Sequence, residues 1–443
     1  MFLFFHEPNR RKRLKRLSPL WFCLVLCFGV LACSNVHADD ALSAWPTARG
    51  DFAATGATAT TLAKDLQLLW ETKTAEAIES APVSDGERVY VVDVMGGLEA
   101  LAFSNGQSVW RHELDTGFSA SPSLYLPSLI GEESGRIQTL DVGKVADDPV
   151  LNDSWATWLK SERPVLVSGD VEGNVVAWDP ATGDRRWEAL TDGEISASPS
   201  FFIHRSLSDE GAVVIQVRVL VTSQDGSLYC FAMEDGKLVW KYETNDQIRC
   251  GASVGDGQTF LGGCDGGLHV VDLRTGQAMR EPIPLGGPTG STPAIRDGQL
   301  YVPIMDGVLY AFAHNSDPEE EVSPKWEYLD DERNQEYRGS AAVNQELVVV
   351  ASRNKTVDAI ERETGRRRWR MTLRRRADAS PVIAGQDVWV ASTDGRLVRL
   401  DIATGDEKWN FEIRGAFIGE PAIVGDRLII ADDEGVVRCF GTR

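Results

Sequence analysis

The sequence predicts an all-β protein, an eight-bladed β-propeller of four-stranded antiparallel blades, on the basis of three observations. A motif of small residues that ends in proline recurs, with a step of 40 residues between Pro82 and Pro122. Several short β-rich runs separated by tight turns follow each copy, and no stretch has the sustained periodicity of an amphipathic helix. Four strands per repeat of about 40 residues is typical of a propeller, so residues 65–443 form one long repeat domain.

The motif that opens each unit has five clear copies and three looser ones, and eight copies predict eight blades. The clear copies are Ser80-Ala81-Pro82, Ala120-Ser121-Pro122, Ala197-Ser198-Pro199, Ser291-Thr292-Pro293 and Ala379-Ser380-Pro381. The looser copies are Gly251-Ala252-Ser253, Ser340-Ala341-Ala342 and Gly419-Glu420-Pro421.

Two kinds of turn divide each unit into strands. Asp-Gly pairs such as Asp225-Gly226 and Asp394-Gly395 predict tight primed hairpins, which need positive φ. Thr-Gly pairs such as Thr404-Gly405 predict a second turn, and a last strand with tryptophan follows. These outer-strand tryptophans are Trp110, Trp187, Trp240, Trp326, Trp369 and Trp409, and the fourth unit has Met279 near that slot.

The eighth unit ends at Phe440-Gly441 without a tryptophan strand, whereas an unmatched strand around Trp70 precedes the first unit. We therefore predict that the N-terminal strand completes the last blade and closes the ring, which also removes an open sheet edge.

The first 38 residues resemble a signal peptide, with a basic stretch from Arg10 to Arg16 and an apolar run from Leu17 to Ala32. Two interpretations of its cleavage stay open. Ordinary cleavage would follow Ala38, whereas a lipobox at residues 30–33 would leave Cys33 lipidated. The predicted organisation is a signal peptide at 1–38, a lead-in segment at 39–64 and the propeller at 65–443, in an exported protein that is periplasmic or anchored to the outer membrane.

The net charge of the chain limits the kinds of partner that it can bind. The formal net charge is −21, and removal of the signal peptide takes away a net +5, which leaves −26. Such a chain is a poor ligand for nucleic acid, because binding phosphates needs a basic surface. We expect a self-repelling monomer that binds proteins and touches the membrane only through a lipid at its N-terminus.

Residues 177–187, AWDPATGDRRW, resemble the complete tryptophan-docking motif of the pyrroloquinoline-quinone (PQQ) repeat, with partial copies ending at Trp369 and Trp409. The resemblance covers residues 65–443 and places the chain in the quinoprotein alcohol dehydrogenase-like superfamily. It implies that the tryptophans, including Trp70, pack between blades. The lead-in Trp45–Asp51 is similar to that of exported PQQ-like repeat proteins.

Two branches of that family imply different functions. The dehydrogenases hold PQQ and calcium in an axial funnel, whereas the outer-membrane assembly lipoprotein BamB is a propeller that binds no quinone. This chain lacks the adjacent cysteine pair of the dehydrogenases, and no Asp-Asn-Glu calcium set is evident in the sequence. We expect a non-catalytic, BamB-like scaffold for protein binding without a cofactor. A PQQ- and calcium-dependent dehydrogenase and a ligand-sensing propeller are the alternatives.

Catalytic or metal-binding motifs are sparse. The six histidines are scattered without metal-ligand spacing, and no G-x-S-x-G motif is present. Cys250 and Cys264 are either a disulfide or buried free thiols. A speculative site for calcium or a cationic ligand consists of Glu79, Asp378 and Glu420, which fall near the proline slots of consecutive units. Its alternative is a hydrated acidic funnel without a ligand.

Two surface features are candidates for partner binding. An insertion of about 38 residues after Ser123 carries Trp155, Trp158 and Leu159, and a shorter insertion spans residues 201–216. Both are expected on one face of the disc, as a docking surface or as side chains that hold the insertion down. A run of seven arginines between 366 and 376 is a solvated strand or an anion-binding patch.

Overall fold

The computed structural model describes residues 44–130, 138–141, 157–207, 213–314, 322–330 and 335–443. Residues 38–443 belong to one compact unit. The predicted signal peptide and Cys33 lie outside the described residues. In the described part of the chain, no helix has the length and apolar character needed to cross a bilayer.

Eight sheets form the eight blades of a propeller, each built from four antiparallel strands. In seven blades the strands follow chain order from the axis outward, and in blade 8 the N-terminal strand is outermost. Blade 1 contains β3 Val83–Ser84, β4 Arg88–Val92, β5 Gly97–Ala102 and β6 Ser108–Glu113. Blade 2 contains β7 Ser123–Tyr125, β9 Val165–Gly169, β10 Asn174–Trp178 and β11 Arg185–Leu190. Blade 3 contains β12 Ser200–Leu207, β13 Val213–Ser223, β14 Ser227–Ala232 and β15 Leu238–Glu243. Blade 4 contains β16 Ser253–Gly255, β17 Gln258–Gly262, β18 Gly267–Asp272 and β19 Ile283–Pro284.

The second half of the ring repeats this arrangement. Blade 5 contains β20 Ala294–Arg296, β21 Gln299–Pro303, β22 Val308–Ala313 and β23 Trp326–Leu329. Blade 6 contains β24 Ala342–Val343, β25 Leu347–Ala351, β26 Thr356–Glu361 and β27 Arg367–Thr372. Blade 7 contains β28 Val382–Ala384, β29 Asp387–Ala391, β30 Arg396–Asp401 and β31 Glu407–Glu412. Blade 8 contains β32 Ala422–Val424, β33 Arg427–Ala431, β34 Val436–Gly441 and the N-terminal strand β2 Gln67–Lys73.

Two further strands extend sheets at their inner edges. Strand β1, Ala57–Thr58, lies parallel to β28 of blade 7, and β8, Gln138–Asp141, lies parallel to β12 of blade 3. A 3-10 turn at Pro127–Leu129 follows β7. The second and third strands of each blade are mostly apolar and buried, although buried charged residues such as Glu99 and Asp358 lie among them. The core therefore lies between adjacent blades.

Ring closure by the N-terminal strand is confirmed. Strand β2 pairs antiparallel with β34, from Gln67 opposite Gly441 to Lys73 opposite Val436. Chain ends that are far apart in sequence therefore share one sheet, and blade 8 has no open edge at this position.

The Asp-Gly turns form hairpins, but their type differs from the prediction. In the turn at Asp225-Gly226 only the glycine has a positive φ, +85°, and its N–H donates to Ser223 O at 3.1 Å. This is a type I turn followed by a left-handed glycine. Positive φ at both residues, as a primed turn requires, occurs at Asp256-Gly257 and Asp297-Gly298, between the first two strands of blades 4 and 5.

The outer-strand tryptophans seal the junctions between blades, as the resemblance implied. Each of six indoles donates its N–H to a backbone carbonyl of the next blade and covers a left-handed glycine there. The pairs are Trp70 with Phe103 O and Gly106, Trp110 with Pro180 O and Gly183, Trp187 with Met233 O and Gly236, Trp240 with Leu273 O and Gly276, Trp326 with Arg362 O and Gly365, and Trp369 with Ile402 O and Gly405. A side chain at any of these glycines would meet the ring, so each tryptophan packs on a turn that only glycine fits without a shift.

Candidate functional site

The axis of the propeller holds a polar funnel of about 200 Å³. Its wall is made by the residues that precede the innermost strand of each blade, and residues 47–54 of the lead-in segment also line it. These wall residues are mostly Ser, Ala, Gly and Thr, because neighbouring blades approach each other most closely at the axis.

The lead-in segment runs across the axis and is bound by the innermost strands. The N–H of Ser84 in blade 1 donates to Trp45 O at 2.9 Å, and Trp45 returns a bond to Ser84 O at 2.8 Å. Five more inner strands donate one backbone N–H each to lead-in carbonyls. These bonds are Leu124 to Pro46 at 2.7 Å, Val254 to Phe52 at 2.7 Å, Ile295 to Ala53 at 2.8 Å, Val343 to Thr55 at 2.8 Å and Ile383 to Gly56 at 2.9 Å.

Arg49 is the central side chain of this segment and is 5% exposed. Its Nη2 donates to Ala341 O at 3.0 Å and to Pro381 O at 3.2 Å. Its Nη1 lies 3.6 Å from Glu420 Oε1, and neither Nη1 nor Nε has a hydrogen-bond acceptor among the described residues. Burial lowers the pKa of Arg49 and raises that of Glu420, while the attraction between the two opposes both shifts. Arg49 thereby links the lead-in to blades 6, 7 and 8.

A chain of hydroxyl groups joins neighbouring blades around the funnel. The N–H just before the proline slot of one blade donates to the Ser or Thr hydroxyl in the same position of the next blade. These bonds are Ala81 to Ser121 at 2.8 Å, Gly251 to Thr292 at 2.9 Å, Thr292 to Ser340 at 2.9 Å and Ser340 to Ser380 at 3.0 Å. In blade 8 Glu420 takes this position in place of a Ser or Thr.

The sequence analysis missed both Arg49 and the hydroxyl chain. The recurrence of Ser or Thr before the proline was the available signal for the hydroxyls. The signal for Arg49 was a charged residue inside a segment of otherwise small and apolar residues.

The three acids that we suggested as metal ligands all line the funnel. Glu79, Asp378 and Glu420 precede the first strands of blades 1, 7 and 8. Asp378 is bound by Arg353 at 2.6 Å and by Arg376 at 3.1 Å.

The remaining acids differ in environment. Glu420 faces Arg49 at 3.6 Å, whereas Glu79 is exposed. Among the described residues, no group of three or more His, Cys, Asp or Glu is placed to hold a metal ion. The metal site stays a prediction, and this geometry disfavours it.

The alignment of the looser motif copies was wrong by one residue in two blades. The innermost strands of blades 4 and 6 begin at Ser253 and Ala342, so Ala252 and Ala341 occupy their proline slots. With this register, Arg249 and Arg338 stand three residues before the slot, as Glu79 does in blade 1. The rim of the funnel is therefore acidic at blade 1 and basic at blades 4 and 6.

The space and donor set of the funnel do not fit PQQ. Ligand pockets generally have at least 300 Å³ and a mostly apolar lining, whereas this funnel has about 200 Å³ and polar walls. Arg49 and the backbone of the lead-in already occupy the axis, and the carboxylates needed for calcium are divided between arginine partners and solvent.

The two insertions meet on one face, as predicted. Strand β8 belongs to the insertion of blade 2 and pairs with β12, which belongs to the long hairpin of blade 3. Trp158 and Leu159 are half-buried and pack against the core, so these two side chains anchor the insertion. Trp155 lies outside the described residues.

The arginine run is largely neutralised within the molecule. Arg370 pairs with Asp330 and Asp358 at 2.6 Å each, Arg368 pairs with Glu346 at 3.2 Å, and Arg374 pairs with Glu412 at 3.1 Å. These contacts favour the interpretation as a solvated strand face.

The four described cysteines are free thiols. Cys250 is buried and its Sγ lies 3.2 Å from both the N and O atoms of Gly262. Burial raises the pKa of Cys250 to about 12, so this thiol stays protonated and unreactive.

A model of a protein family described as "Outer membrane protein assembly factor BamB" matches residues 39–144, 151–317 and 325–440. BamB of Burkholderia pseudomallei is 24% identical over 352 residues, which cover 75% of this chain and 76% of that protein. BamB of Nitrosomonas eutropha is 26% identical over 246 residues, or 54% of this chain and 47% of that protein. BamB of Yersinia pestis is 25% identical over 277 residues, or 56% and 65%.

Solved structures show the same fold. The crystal structure of BamB from Moraxella catarrhalis aligns with a TM-score of 0.60 and 17% identity, over 85% of this chain and 100% of that chain. The computationally designed protein Ika8 aligns with a TM-score of 0.63 and 14% identity over the same shares.

Proposed function

This chain belongs to the family of the outer membrane protein assembly factor BamB, and from that membership we propose that it is an envelope scaffold that binds other proteins during outer-membrane protein assembly. The observation that carries the proposal is the extent of the family match, which runs from residue 39 to residue 440 with two short gaps and so includes all eight blades. The lead-in segment and Arg49 bind the inner strands across the funnel, which gives the ring the rigidity that a scaffold needs.

Removal of the protein from its own cell tests this function. We expect a deletion strain to contain less folded β-barrel protein in its outer membrane, and expression of the full chain to restore the amount. Quantitative mass spectrometry of the outer-membrane fraction measures both. An unchanged outer-membrane proteome, also when the envelope is stressed, would contradict the proposal.

We further propose that the protein acts without quinone or calcium. The small polar funnel and the paired state of Asp378 and Glu420 support this. Mixing the purified protein with PQQ and Ca²⁺ should give neither a bound quinone spectrum nor dye-linked alcohol oxidation. Turnover in this assay would support the dehydrogenase alternative.

The family membership supports a location in the envelope, and the mode of attachment is a finer proposal. We propose cleavage after Ala38, because Val36, His37 and Ala38 match the small-x-small pattern. Mass spectrometry of the mature N-terminus distinguishes Asp39 from a lipidated Cys33, and the latter result would make the protein an outer-membrane lipoprotein.

For the docking surface we propose the face that carries the two insertions, because β8 and β12 join them into one sheet and give a partner a fixed platform. Replacement of residues 142–154 by a Gly-Ser linker of equal length leaves β8, Trp158 and Leu159 in place. We expect unchanged thermal stability but loss of the partners that the unaltered chain captures from the envelope. Retention of the same partners would exclude those residues from the docking surface.

A further inference from the structure

The axial channel of the propeller has the properties of a peptide-binding site that is filled by a segment of the same chain. In each blade the innermost strand pairs with the second strand on one side, and its other edge faces the axis. In blades 3 and 7 that inner edge also pairs with β8 and β1. Such an edge presents backbone groups that an extended peptide can satisfy. Residues 45–58 of the lead-in segment do so, accepting one backbone N–H from each of blades 1, 2, 4, 5 and 6 and two from blade 7.

The lead-in segment also presents specific side chains, as a bound peptide does. The guanidinium of Arg49 reaches two carbonyls and Glu420, which belong to three different blades. Phe52 stacks edge-to-face on Phe201 of blade 3, with 5.1 Å between the ring centroids. Backbone bonds and side-chain contacts together thus touch all eight blades.

The segment is folded onto itself in a way that its own sequence supports. Gly50, with φ +76°, leaves room for the indole of Trp45, and Gly56, with φ +58°, leaves room for the Arg49 guanidinium. Asp51 Oδ1 accepts the N–H of Thr55 at 2.9 Å. Such internal order reduces the entropy that binding costs.

The junction between this segment and the ring is accessible. Lys64 and Asp65 are exposed and stand between the lead-in and the closing strand β2. One covalent connection therefore joins the segment to the blades on this side, and it can be cut without removing any residue that contacts the axis.

We propose that the axial channel is a receptor for a peptide that turns at glycines and carries an arginine with a tryptophan four residues before it, and that residues 45–58 occupy this receptor in cis. The contacts define the chemistry of this peptide. Its backbone carbonyls accept from six inner-strand N–H groups, and its guanidinium contacts Glu420, Ala341 O and Pro381 O. Glycines stand where its chain turns. This peptide site lies at the axis and not at the rim or the insertions, so it is distinct from the proposed scaffold function.

The test uses the full chain with a protease recognition sequence inserted between Lys64 and Asp65. After the folded protein is cut, a fluorescent peptide of residues 44–62 is added, and exchange is followed by anisotropy. We expect saturable uptake of the peptide, competition by the unlabelled peptide, and a ring that stays folded by circular dichroism throughout.

Variants of the peptide give the matched control. Arg49→Ala should weaken binding at least tenfold, because it removes both carbonyl bonds and the partner of Glu420. Ala59→Ser, at an exposed position, should bind as the unaltered peptide does. Equal affinity of the Arg49→Ala peptide would overturn the proposal. So would unfolding of the ring on exchange, or no exchange over several days, since either result would make the segment part of the core.

Discussion

Six of the eight junctions between blades are sealed by a tryptophan that lies on a glycine turn, whereas the junctions between blades 4 and 5 and between blades 7 and 8 are built differently. At the junction of blades 7 and 8, Trp409 packs edge-to-face on Phe440, at 5.8 Å between centroids, and on Trp389 at 5.6 Å. The turn on which it would dock is absent there, because β34 ends and β2 begins at opposite ends of the chain.

The junction of blades 4 and 5 has lost the tryptophan itself. The outer strand of blade 4 is reduced to Ile283–Pro284, and an apolar cluster that includes Phe260, Leu300 and Phe312 fills the junction. His314 is buried at its edge, 5.3 Å from the ring of Phe260. The comparison teaches that the tryptophan and the glycine turn act as a pair, and that loss of either one is compensated by apolar packing.

The largest effect is expected from removal of the strand that replaces the missing turn. Deletion of residues 65–73 opens blade 8 and removes the Trp70 contact with blade 1. It should lower the free energy of unfolding by about 3 kcal/mol or more. Urea denaturation followed by fluorescence measures this, and an unchanged midpoint would contradict closure as a source of stability.

The two kinds of junction should lose different amounts of stability when their tryptophans are replaced by alanine. Trp187→Ala removes an indole that is 8% exposed and bonded to Met233 O at 2.6 Å, and should cost about 3 kcal/mol. Trp409→Ala should cost less, about 2 kcal/mol, because that indole is only partly buried. Equal losses in calorimetry would show that the glycine turn adds nothing to the seal.

The glycine partner can be tested separately from the tryptophan. Gly405→Ala places a methyl group 2.6 Å from the Trp369 ring at φ +76°, whereas Gly425→Ala at φ +56° meets nothing within 4 Å. The control should cost about 1 kcal/mol through backbone strain alone, and Gly405→Ala about 3 kcal/mol. If thermal melting shows the same loss of stability for both variants, contact with the tryptophan ring is not the reason for glycine at these turns.

The smallest expected effect is a loss of stability at acidic pH that arises at the junction of blades 4 and 5. Burial lowers the pKa of His314 below 6.5, although Asp256 at 3.2 Å opposes the shift. Below pH 6.5 the unfolded chain binds a proton that the folded chain resists, so this contribution to stability is present above pH 6.5 and is lost as the pH falls. His314→Asn should reduce the difference in stability between pH 7.5 and pH 5.5, and an unchanged difference would exclude His314 from the acid response.

Local sequence signals predicted most of the fold. The eight motif copies, the glycine turns and the tryptophans each depend on residues within one repeat, so the strands and their order could be derived without long-range information. Closure could also be predicted, because an unmatched strand at one end and an incomplete unit at the other leave one economical pairing.

Two kinds of prediction failed. One was the register of the motif copies that lack a proline, and the other was the binding partners of side chains whose contacts come from distant blades. Without a proline, the slots of blades 4 and 6 were placed one residue late, at Ser253 and Ala342. The acids of the funnel were treated as a cluster, yet Asp378 is bound by Arg353 and Glu420 faces Arg49. A sequence motif predicts on which side of a blade a charged residue lies. It does not predict the oppositely charged residue of another blade that pairs with it.

By itself the sequence determined the class of fold, the number of blades, the closing strand and the role of the tryptophans, because each follows from chemistry repeated at a fixed period. Only the tertiary structure decided the content of the axis. The lead-in segment has no period and no partner within its own repeat, and its contacts are with residues that lie up to 371 positions away, as between Arg49 and Glu420. Such contacts arise when ring closure brings eight strand edges around one axis, and no local pattern encodes that convergence.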